Sequence, residues 1–92
     1  MKVSILFLGA GKNESESSVE LEIPEQTSVK RLIAEFAVNL LPDPELVLDS
    51  SGSLRRHLII QINKKRILPS KADEYILKEG DEIIIYPPVS GG

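Results

Sequence analysis

Cysteine and tryptophan are absent from the 92-residue chain, and histidine occurs once. Without cysteine there is no disulfide framework, no thiol nucleophile and no thiolate metal site. His57 alone cannot form a histidine-based metal site, so the sequence predicts no bound metal or cofactor. No apolar run reaches the roughly 18–20 residues of a membrane span, and the N-terminal MKVSILFLGAGK alternates instead of forming a signal peptide. We therefore expect a cytoplasmic protein without a membrane partner.

Basic residues are outnumbered by acidic ones, with 11 lysines and arginines against 14 aspartates and glutamates. A nucleic-acid partner usually demands a basic face. The two basic clusters, Arg55–His57 and Lys64–Arg66, have no interleaved aromatic side chains on which bases could stack. We expect these clusters to solvate strand ends or to meet an acidic partner, and we predict no nucleic-acid partner.

The first half of the chain combines two strand patterns with one helical pattern. Lys2–Leu8 alternates and is rich in β-favouring residues, and Ser18–Pro24 alternates apolar with acidic residues. The polar stretch Gly11–Ser17 between them suggests a hairpin with a longer loop. The next segment is predicted to be a helix, which Thr27 or Ser28 caps at its N-terminus and which ends at Pro42. The apolar residues at that spacing are Val29, Leu32, Ile33, Phe36 and Ala37.

The second half returns to strands after an irregular excursion, Pro42–Arg56, in which a short strand at Leu46–Leu48 is an option. A strand at His57–Asn63, a turn and a short strand at Arg66–Leu68 follow, and a Gly80-Asp81 turn leads to a last strand, Glu82–Tyr86. This order predicts an α+β fold in which one main helix covers one face of a sheet. We expect one domain over residues 1–86 and an extended tail over residues 87–92.

The sheet face away from the helix is predicted to be apolar. Alternation places Val3, Ile5 and Phe7 toward the helix, with corresponding inward positions in the later strands. A large exposed apolar patch usually marks an interaction surface, so we interpret this face as partner-binding. Two alternatives are that Pro42–Arg56 folds over part of the patch or that the register is shifted by one residue. The outward residues are Leu6, Leu8, Ile59, Ile84 and Tyr86.

Motifs for enzymatic chemistry are incomplete. Gly9–Lys12 reads GAGK, but a phosphate-binding loop needs G-x-x-x-x-G-K-[ST] before a helix, and here a polar loop follows. The serines of Ser50–Ser53 have His57 as their one conceivable base and lie in no Gly-x-Ser-x-Gly elbow. The acids Asp43, Glu45 and Asp49 miss the spacing of a calcium loop and are expected to be solvated. The sequence therefore predicts a protein that is not itself an enzyme.

The sequence ends in YPPVSGG, and the residue types in this segment suit a chemical role. Pro87 has no amide proton and stops the ladder, and Pro88 favours an extended conformation for Pro87. The small residues Ser90, Gly91 and Gly92 suit insertion into a narrow tunnel of another protein. The Gly92 carboxylate is inert until activated, but its carbon is sterically open to attack.

The order of elements together with GDEIIIYPPVSGG resembles the ubiquitin-like β-grasp sulfur carriers, and most closely the molybdopterin synthase small subunit family. The resemblance extends over the chain and rests on Gly80-Asp81-Glu82 and on the tail residues Pro87, Pro88, Val89, Gly91 and Gly92. It implies adenylation of Gly92 by a ubiquitin-activating-type enzyme that uses ATP, conversion to a thiocarboxylate, and insertion of Pro87–Gly92 into a partner's active site. It also implies molybdopterin synthase large subunit, or another sulfur acceptor, as a partner, with sulfur donated to the pterin dithiolene in molybdopterin (molybdenum- or tungsten-cofactor) synthesis.

Some features depart from that family. Ile60–Arg66 lacks the Asn-Gly turn common there, and the excursion with DSSGSLRRHL is similar to archaeal small modifier proteins and eukaryotic ubiquitin-related modifiers. Those proteins deliver sulfur, including to tRNA, or are attached to protein lysines. A modifier conjugated through Gly92 and a plain interaction domain therefore stay open as alternatives, while thiamine-type carriers, which share the Gly-Gly end but are usually shorter, rank lower.

Overall fold

The computed structural model describes residues 1–8, 16–41 and 43–86. Within these ranges the chain forms five strands, one α-helix and two short 3-10 helices at Pro44–Leu46 and Pro69–Lys71. The predicted strand–strand–helix–strand–strand–strand order is confirmed. The elements are β1 (Lys2–Leu8), β2 (Glu16–Glu22), α1 (Val29–Leu40), β3 (Ile59–Ile62), β4 (Lys65–Ile67) and β5 (Glu82–Tyr86).

The five strands form one mixed sheet in the order β2-β1-β5-β3-β4. β1 pairs antiparallel with β2 and parallel with β5, and β3 pairs antiparallel with both β4 and β5. The last strand therefore lies in the centre of the sheet, between the two hairpins. A mixed sheet with one main helix on it is the ubiquitin-like β-grasp fold, so the predicted fold class is confirmed.

The core lies between α1 and one face of the sheet. The inward residues of β1, β3 and β5 are buried, as alternation predicts, and Val29, Leu32, Ile33, Phe36 and Ala37 bury the predicted stripe of α1. Of the two suggested caps, Ser28 is the N-cap, and its hydroxyl accepts a 3.1 Å hydrogen bond from the Arg31 amide. Thr27 instead donates its hydroxyl to the Pro24 carbonyl at 2.6 Å.

The end of α1 agrees with the proline signal in the sequence. Helical geometry stops at Leu40, and Leu41 is extended with ψ 138°. An extended conformation is what a residue before proline prefers, because the following ring clashes with helical backbone. Pro42 itself lies outside the described residues.

The excursion after α1 contains no strand at Leu46–Leu48, so that option is wrong. Pro44–Leu46 is a 3-10 helix, which Pro44 favours at its first turn, and Leu48 makes a single bridge to Leu54. Val47 and Leu54 are buried in the core. The excursion therefore packs with the helix layer, and this excludes the alternative that it covers the opposite sheet face.

The β3–β4 turn is built without glycine. Asn63 and Lys64 have φ values of 50° and 75°, and Ile62 pairs with Lys65 on either side of them. Two successive residues with positive φ are typical of a type I′ hairpin turn, for which Asn-Gly is the favoured sequence. The NKK turn prediction is confirmed, with Lys64 at the position where glycine is usual.

No helix among the described residues could cross a bilayer. The 12 residues of α1 extend about 18 Å, against a hydrocarbon thickness of about 30 Å.

Candidate partner-binding face

The five predicted face residues lie on one surface of the sheet. Leu6 of β1 pairs with Ile84 of β5, and Ile59 of β3 pairs with Tyr86 of β5. Residues opposite each other in neighbouring strands point to the same side, so these side chains and Leu8 form a continuous apolar strip across three strands. We call Leu6, Leu8, Ile59, Ile84 and Tyr86 the apolar strip.

The apolar strip is partly exposed, and the helix lies on the other side of the sheet. All five side chains are intermediate in exposure, whereas their inward neighbours such as Ile5, Ile60 and Ile85 are fully buried. The alternating burial of β1 and β5 excludes the one-residue register shift. The surface is therefore available to a partner without repacking of the core.

The strip lies at the end of the sheet where β5 finishes. β1 and β5 run in the same direction, so Leu8 and Tyr86 both stand at the terminal edge of their strands, and Ile59 begins the antiparallel β3 beside them. Tyr86 is followed directly by Pro87. A partner that covers the strip would thus lie next to the start of the predicted tail.

The opposite end of β5 is fixed by a polar network that the sequence did not predict. Asp81 is 6% exposed, and its carboxylate accepts hydrogen bonds from the Asn63 side-chain amide at 2.9 Å and the Lys78 backbone amide at 2.8 Å. The Asn63 side-chain oxygen accepts from the Glu82 amide at 3.0 Å. Gly80 has φ 85°, which glycine adopts without strain. The Gly80-Asp81-Glu82 motif thereby sets the start of β5.

Charged residues border the apolar strip on the same face. Ser4 pairs with Glu20 on one side and with Glu82 on the other, so two glutamates flank a serine across three strands. Both glutamates are exposed. At the other side of the strip, Gln61 pairs with Arg66, which is also exposed. The end of the face toward the start of β5 thus carries Lys2, which pairs with Glu22, beside Glu20 and Glu82, and the β4 edge carries Arg66.

The loop acids and serines have structural contacts that account for them. Asp49 accepts hydrogen bonds from the Ser51 hydroxyl, the Ser51 amide and the Ser53 amide at 2.7, 2.9 and 3.1 Å. These bonds, the Ser51 hydroxyl first, hold the pKa of Asp49 below its ordinary value of 3.8. Asp43 accepts from the Glu45 amide at the start of the 3-10 helix. These contacts are typical of turn and helix capping.

The structure bears on the metal prediction only within the described residues, and it does not describe the tail. In the part of the chain that the structure describes, no group of three potential ligands could hold a metal ion. The GAGK segment Gly9–Lys12 and the tail residues Pro87, Pro88, Val89, Ser90, Gly91 and Gly92 lie outside the described residues. Their predicted roles, and the binding role of the apolar strip, stay predictions.

The fold is shared with three solved structures. SAMP1 from Haloferax volcanii is 21% identical, with a TM-score of 0.72 and coverage of 100% of both chains. A second Haloferax volcanii protein, HVO 2177, is 19% identical with a TM-score of 0.73, covering 100% of this chain and 87% of that one. Urm1 from Trypanosoma brucei is 21% identical with a TM-score of 0.72, covering 99% and 95%. At these identities the likeness concerns the fold.

Sequence comparison identifies the family. The molybdopterin synthase sulfur carrier subunit of Drosophila melanogaster is 30% identical over 97 residues, an alignment covering 100% of this chain and 92% of that protein. The resemblance predicted from the sequence is thus confirmed. The ThiS family model matches residues 5–92, and this range includes every residue of the apolar strip and the Gly-Gly end. This chain belongs to the ThiS family.

Proposed function

We propose that this protein is a sulfur carrier whose Gly92 carboxylate is activated and converted to a thiocarboxylate, for molybdopterin synthesis. The observation that carries the proposal is the full-length likeness to a molybdopterin synthase sulfur carrier subunit, including the Gly91-Gly92 end. The chain itself is not the catalyst in this proposal, because the reacting group is a carboxylate that needs another protein to activate it.

The activation has two steps. A Gly92 carboxylate oxygen attacks the α-phosphorus of ATP, a C–O–P linkage forms, and pyrophosphate leaves. A hydrosulfide-equivalent nucleophile then attacks the acyl carbon, the C–S bond forms as AMP leaves, and the thiocarboxylate remains. Glycine at both terminal positions keeps the acyl carbon free of side-chain hindrance.

The geometry of β5 supports delivery of this group to a partner. β5 is hydrogen-bonded on both sides, to β1 and β3, and its start is fixed by the Asp81–Asn63 contact. The segment after Tyr86 thus extends from a strand that cannot shift easily. The apolar strip beside Tyr86 offers a surface on which a partner could fix its distance from that segment.

Two partners follow from the proposed chemistry. The first is an adenylating enzyme of the ubiquitin-activating type, which supplies the ATP site. The second is the sulfur acceptor, for which molybdopterin synthase large subunit is the proposed identity. Pro87–Gly92 would enter the active site of each in turn while the apolar strip contacts the protein surface around it.

The test is the intact mass of the full chain after incubation with ATP, a sulfide donor and the adenylating enzyme from the same genome. We expect the mass increase that replaces one oxygen by sulfur, located by fragmentation on Gly92. No increase, with that enzyme shown active on another carrier, would overturn the proposal. Transfer to a pterin acceptor by the purified large subunit then tests the molybdopterin assignment separately.

A second function shares the activated intermediate. A lysine amine could displace AMP from the Gly92 acyl adenylate in place of sulfur, and the product would be an isopeptide. The Gly91-Gly92 end, which has no side chains to hinder attack by an amine, is the observation that supports this second function. Proteomics of the host after trypsin digestion distinguishes the two functions, since only conjugation leaves a C-terminal fragment of this chain on lysines.

A further inference from the structure

The turn Arg55–Leu58 lies at the edge of the sheet where β5 ends. A hydrogen bond of 3.2 Å from its last amide to its first carbonyl closes the turn, and the next residue, Ile59, pairs with Tyr86. Because β3 and β5 are antiparallel, the residues that precede Ile59 stand at the same edge as the last residue of β5. The turn is therefore close to the origin of the segment Pro87–Gly92, which lies outside the described residues.

This turn borders two open clefts on the surface. The first cleft, of about 390 Å³, is lined by Asp49, Arg55, Arg56 and His57. The second, of about 370 Å³, shares Arg56 and also contains Lys30 and Asp73. The two clefts together contain three cationic side chains, two carboxylates and one imidazole, and Arg56 is the residue that both share.

The Arg56 guanidinium is available to a carboxylate that approaches from outside the clefts. The Asp49 carboxylate is held by three hydrogen bonds within its own turn, and Asp73 lies in the cleft that also contains Lys30. Neither ion pair of the described residues involves Arg56, which is exposed. A guanidinium donates two parallel N–H bonds to a carboxylate, so Arg56 offers a site for one such group.

The segment Pro87–Gly92 is long enough to bring its terminal carboxylate to Arg56. Six residues reach at most about 20 Å. Ile59 and Tyr86 are paired, with Cα atoms about 5 Å apart, and Arg56 precedes Ile59 by three residues, or at most about 10 Å. The Cα atoms of Arg56 and Tyr86 are therefore at most about 15 Å apart. Glycine at the last two positions leaves the approaching carboxylate free of side-chain obstruction.

We infer that, in the carrier without a partner, the Gly92 carboxylate binds the Arg56 guanidinium, so that Pro87–Gly92 lies against the Arg55–Leu58 turn. The inference rests on the proposed function, in which the chain ends in a free carboxylate or thiocarboxylate. An exposed ion pair is weak, and the short connection to Tyr86 raises the effective concentration of the carboxylate, so bound and open forms exchange. Only the open form enters the adenylating enzyme, and the apparent affinity for that enzyme falls with the open fraction.

The experiment places a nitroxide spin label on the full chain at Ser90→Cys, a single attachment site because the sequence contains no cysteine. Leu8 and Ile59 stand level with Tyr86 on opposite sides of β5. A tail that sweeps freely enhances the relaxation of amide protons on both sides to a similar extent. A bound tail should enhance the relaxation of the Arg56 amide proton at least about twofold more than that of Leu8.

Arg56→Gln should remove this asymmetry, and about 1 M sodium chloride should also remove it, because the contact is an exposed ion pair. The matched control is Arg66→Gln, which makes the same change at an exposed arginine of β4 and should leave the asymmetry in place. Thermal unfolding should show all variants folded. Symmetric relaxation in the chain that retains Arg56, or asymmetry that persists in Arg56→Gln, would overturn the inference.

Kinetics distinguish this contact from a partner contact. In ATP–pyrophosphate exchange by the adenylating enzyme from the same genome, Arg56→Gln should lower KM for the carrier about two- to fivefold, because every molecule is then open. A higher KM together with symmetric relaxation would overturn the inference and assign Arg56 to an acidic residue of the enzyme, with the carrier function intact. Failure of thiocarboxylate formation on Gly92 would overturn the carrier function, whatever the relaxation data show.

Discussion

The buried Asp81 carboxylate and the Asn63 side-chain amide are joined by a 2.9 Å hydrogen bond that connects the start of β5 to the β3–β4 turn. The same Asn63 side chain accepts from the Glu82 amide, so it bridges two turns 18 residues apart. We expect Asn63→Ala to lower the free energy of unfolding by about 2 kcal/mol, because it leaves the buried Asp81 carboxylate short of a partner. Urea denaturation measures the loss.

Two comparisons separate this contact from general effects. Asn39→Ala removes an exposed asparagine of α1 and should change stability by less than about 0.5 kcal/mol. In a double-mutant cycle, Asp81→Ala should lose much of its effect in the Asn63→Ala background. Full additivity of the two changes would show that the side chains do not act together.

Lys64 occupies a left-handed conformation with φ 75°, which disfavours residues with a Cβ atom. We expect Lys64→Gly to stabilise the protein by up to about 1 kcal/mol, since the relief of strain exceeds the added entropy of the unfolded chain. The measurement is again urea denaturation. Lys65→Gly, within β4, should instead destabilise by about 0.5–1 kcal/mol, and equal effects of the two changes would contradict the turn argument.

An acidic residue within the apolar strip should weaken binding of the adenylating enzyme more than it lowers stability. Leu8→Glu and Tyr86→Glu place an unpaired charge against the proposed apolar contact, so we expect KM to rise at least about tenfold. Val38→Glu is the matched control, because Val38 is 64% exposed on α1. A loss confined to thermal stability, with KM unchanged, would show that the strip does not bind the enzyme.

Deletion of Gly91-Gly92 should abolish thiocarboxylate formation and leave the fold intact. The described sheet is formed by strands that end at Tyr86, before these two residues. Mass spectrometry after incubation with the adenylating enzyme reports the first effect, and thermal unfolding reports the second. Unfolding of the truncated chain would contradict the separation of a folded domain from a reactive tail.

The acid response of the Asp49 turn follows from its lowered pKa. A carboxyl whose pKa is depressed on folding stabilises the fold above its ordinary value of 3.8, and the contribution disappears as the pH falls through the lower folded value. Carboxyl-carbon NMR should therefore give a midpoint below 3.8 for Asp49. Ser51→Ala should move that midpoint upward, because the Ser51 hydroxyl is the largest cause of the shift. An unchanged midpoint would contradict this assignment.

Local patterns predicted the elements and the two sheet faces. Alternation needs only neighbouring residues, so the inward position of Ile5 and the outward position of Leu6 followed directly. The position of β5 between β1 and β3 depends on pairing between distant residues, such as Ser4 with Glu82, and no local period specifies it. That strand order was not predicted from the sequence and became visible in the structure.

Sequence reasoning failed where a side chain has a distant partner or an unusual backbone. The Asn63–Asp81 contact joins segments that show no local signal for each other, although NKK and Gly-Asp were both recognised as turns. The strand option at Leu46–Leu48 failed because Pro44–Leu46 forms a 3-10 turn that leaves Leu46 40% exposed and buries Val47. The pairing of Ser4 with two glutamates became visible only once the register was known.

The central place of β5 has a consequence for the order of events during synthesis. β1–β2 and β3–β4 are hairpins of residues near each other in sequence, so we expect them to form before β5 inserts between them, because its pairing with β1 joins residues separated by nearly the whole domain. Such long-range pairing forms late in folding. A chain that has failed to insert β5 lacks the assembled strip, since Leu6, Ile59 and Ile84 are brought together only by that strand. If the apolar strip binds the adenylating enzyme as proposed, activation of Gly92 is restricted to molecules in which β5 is inserted.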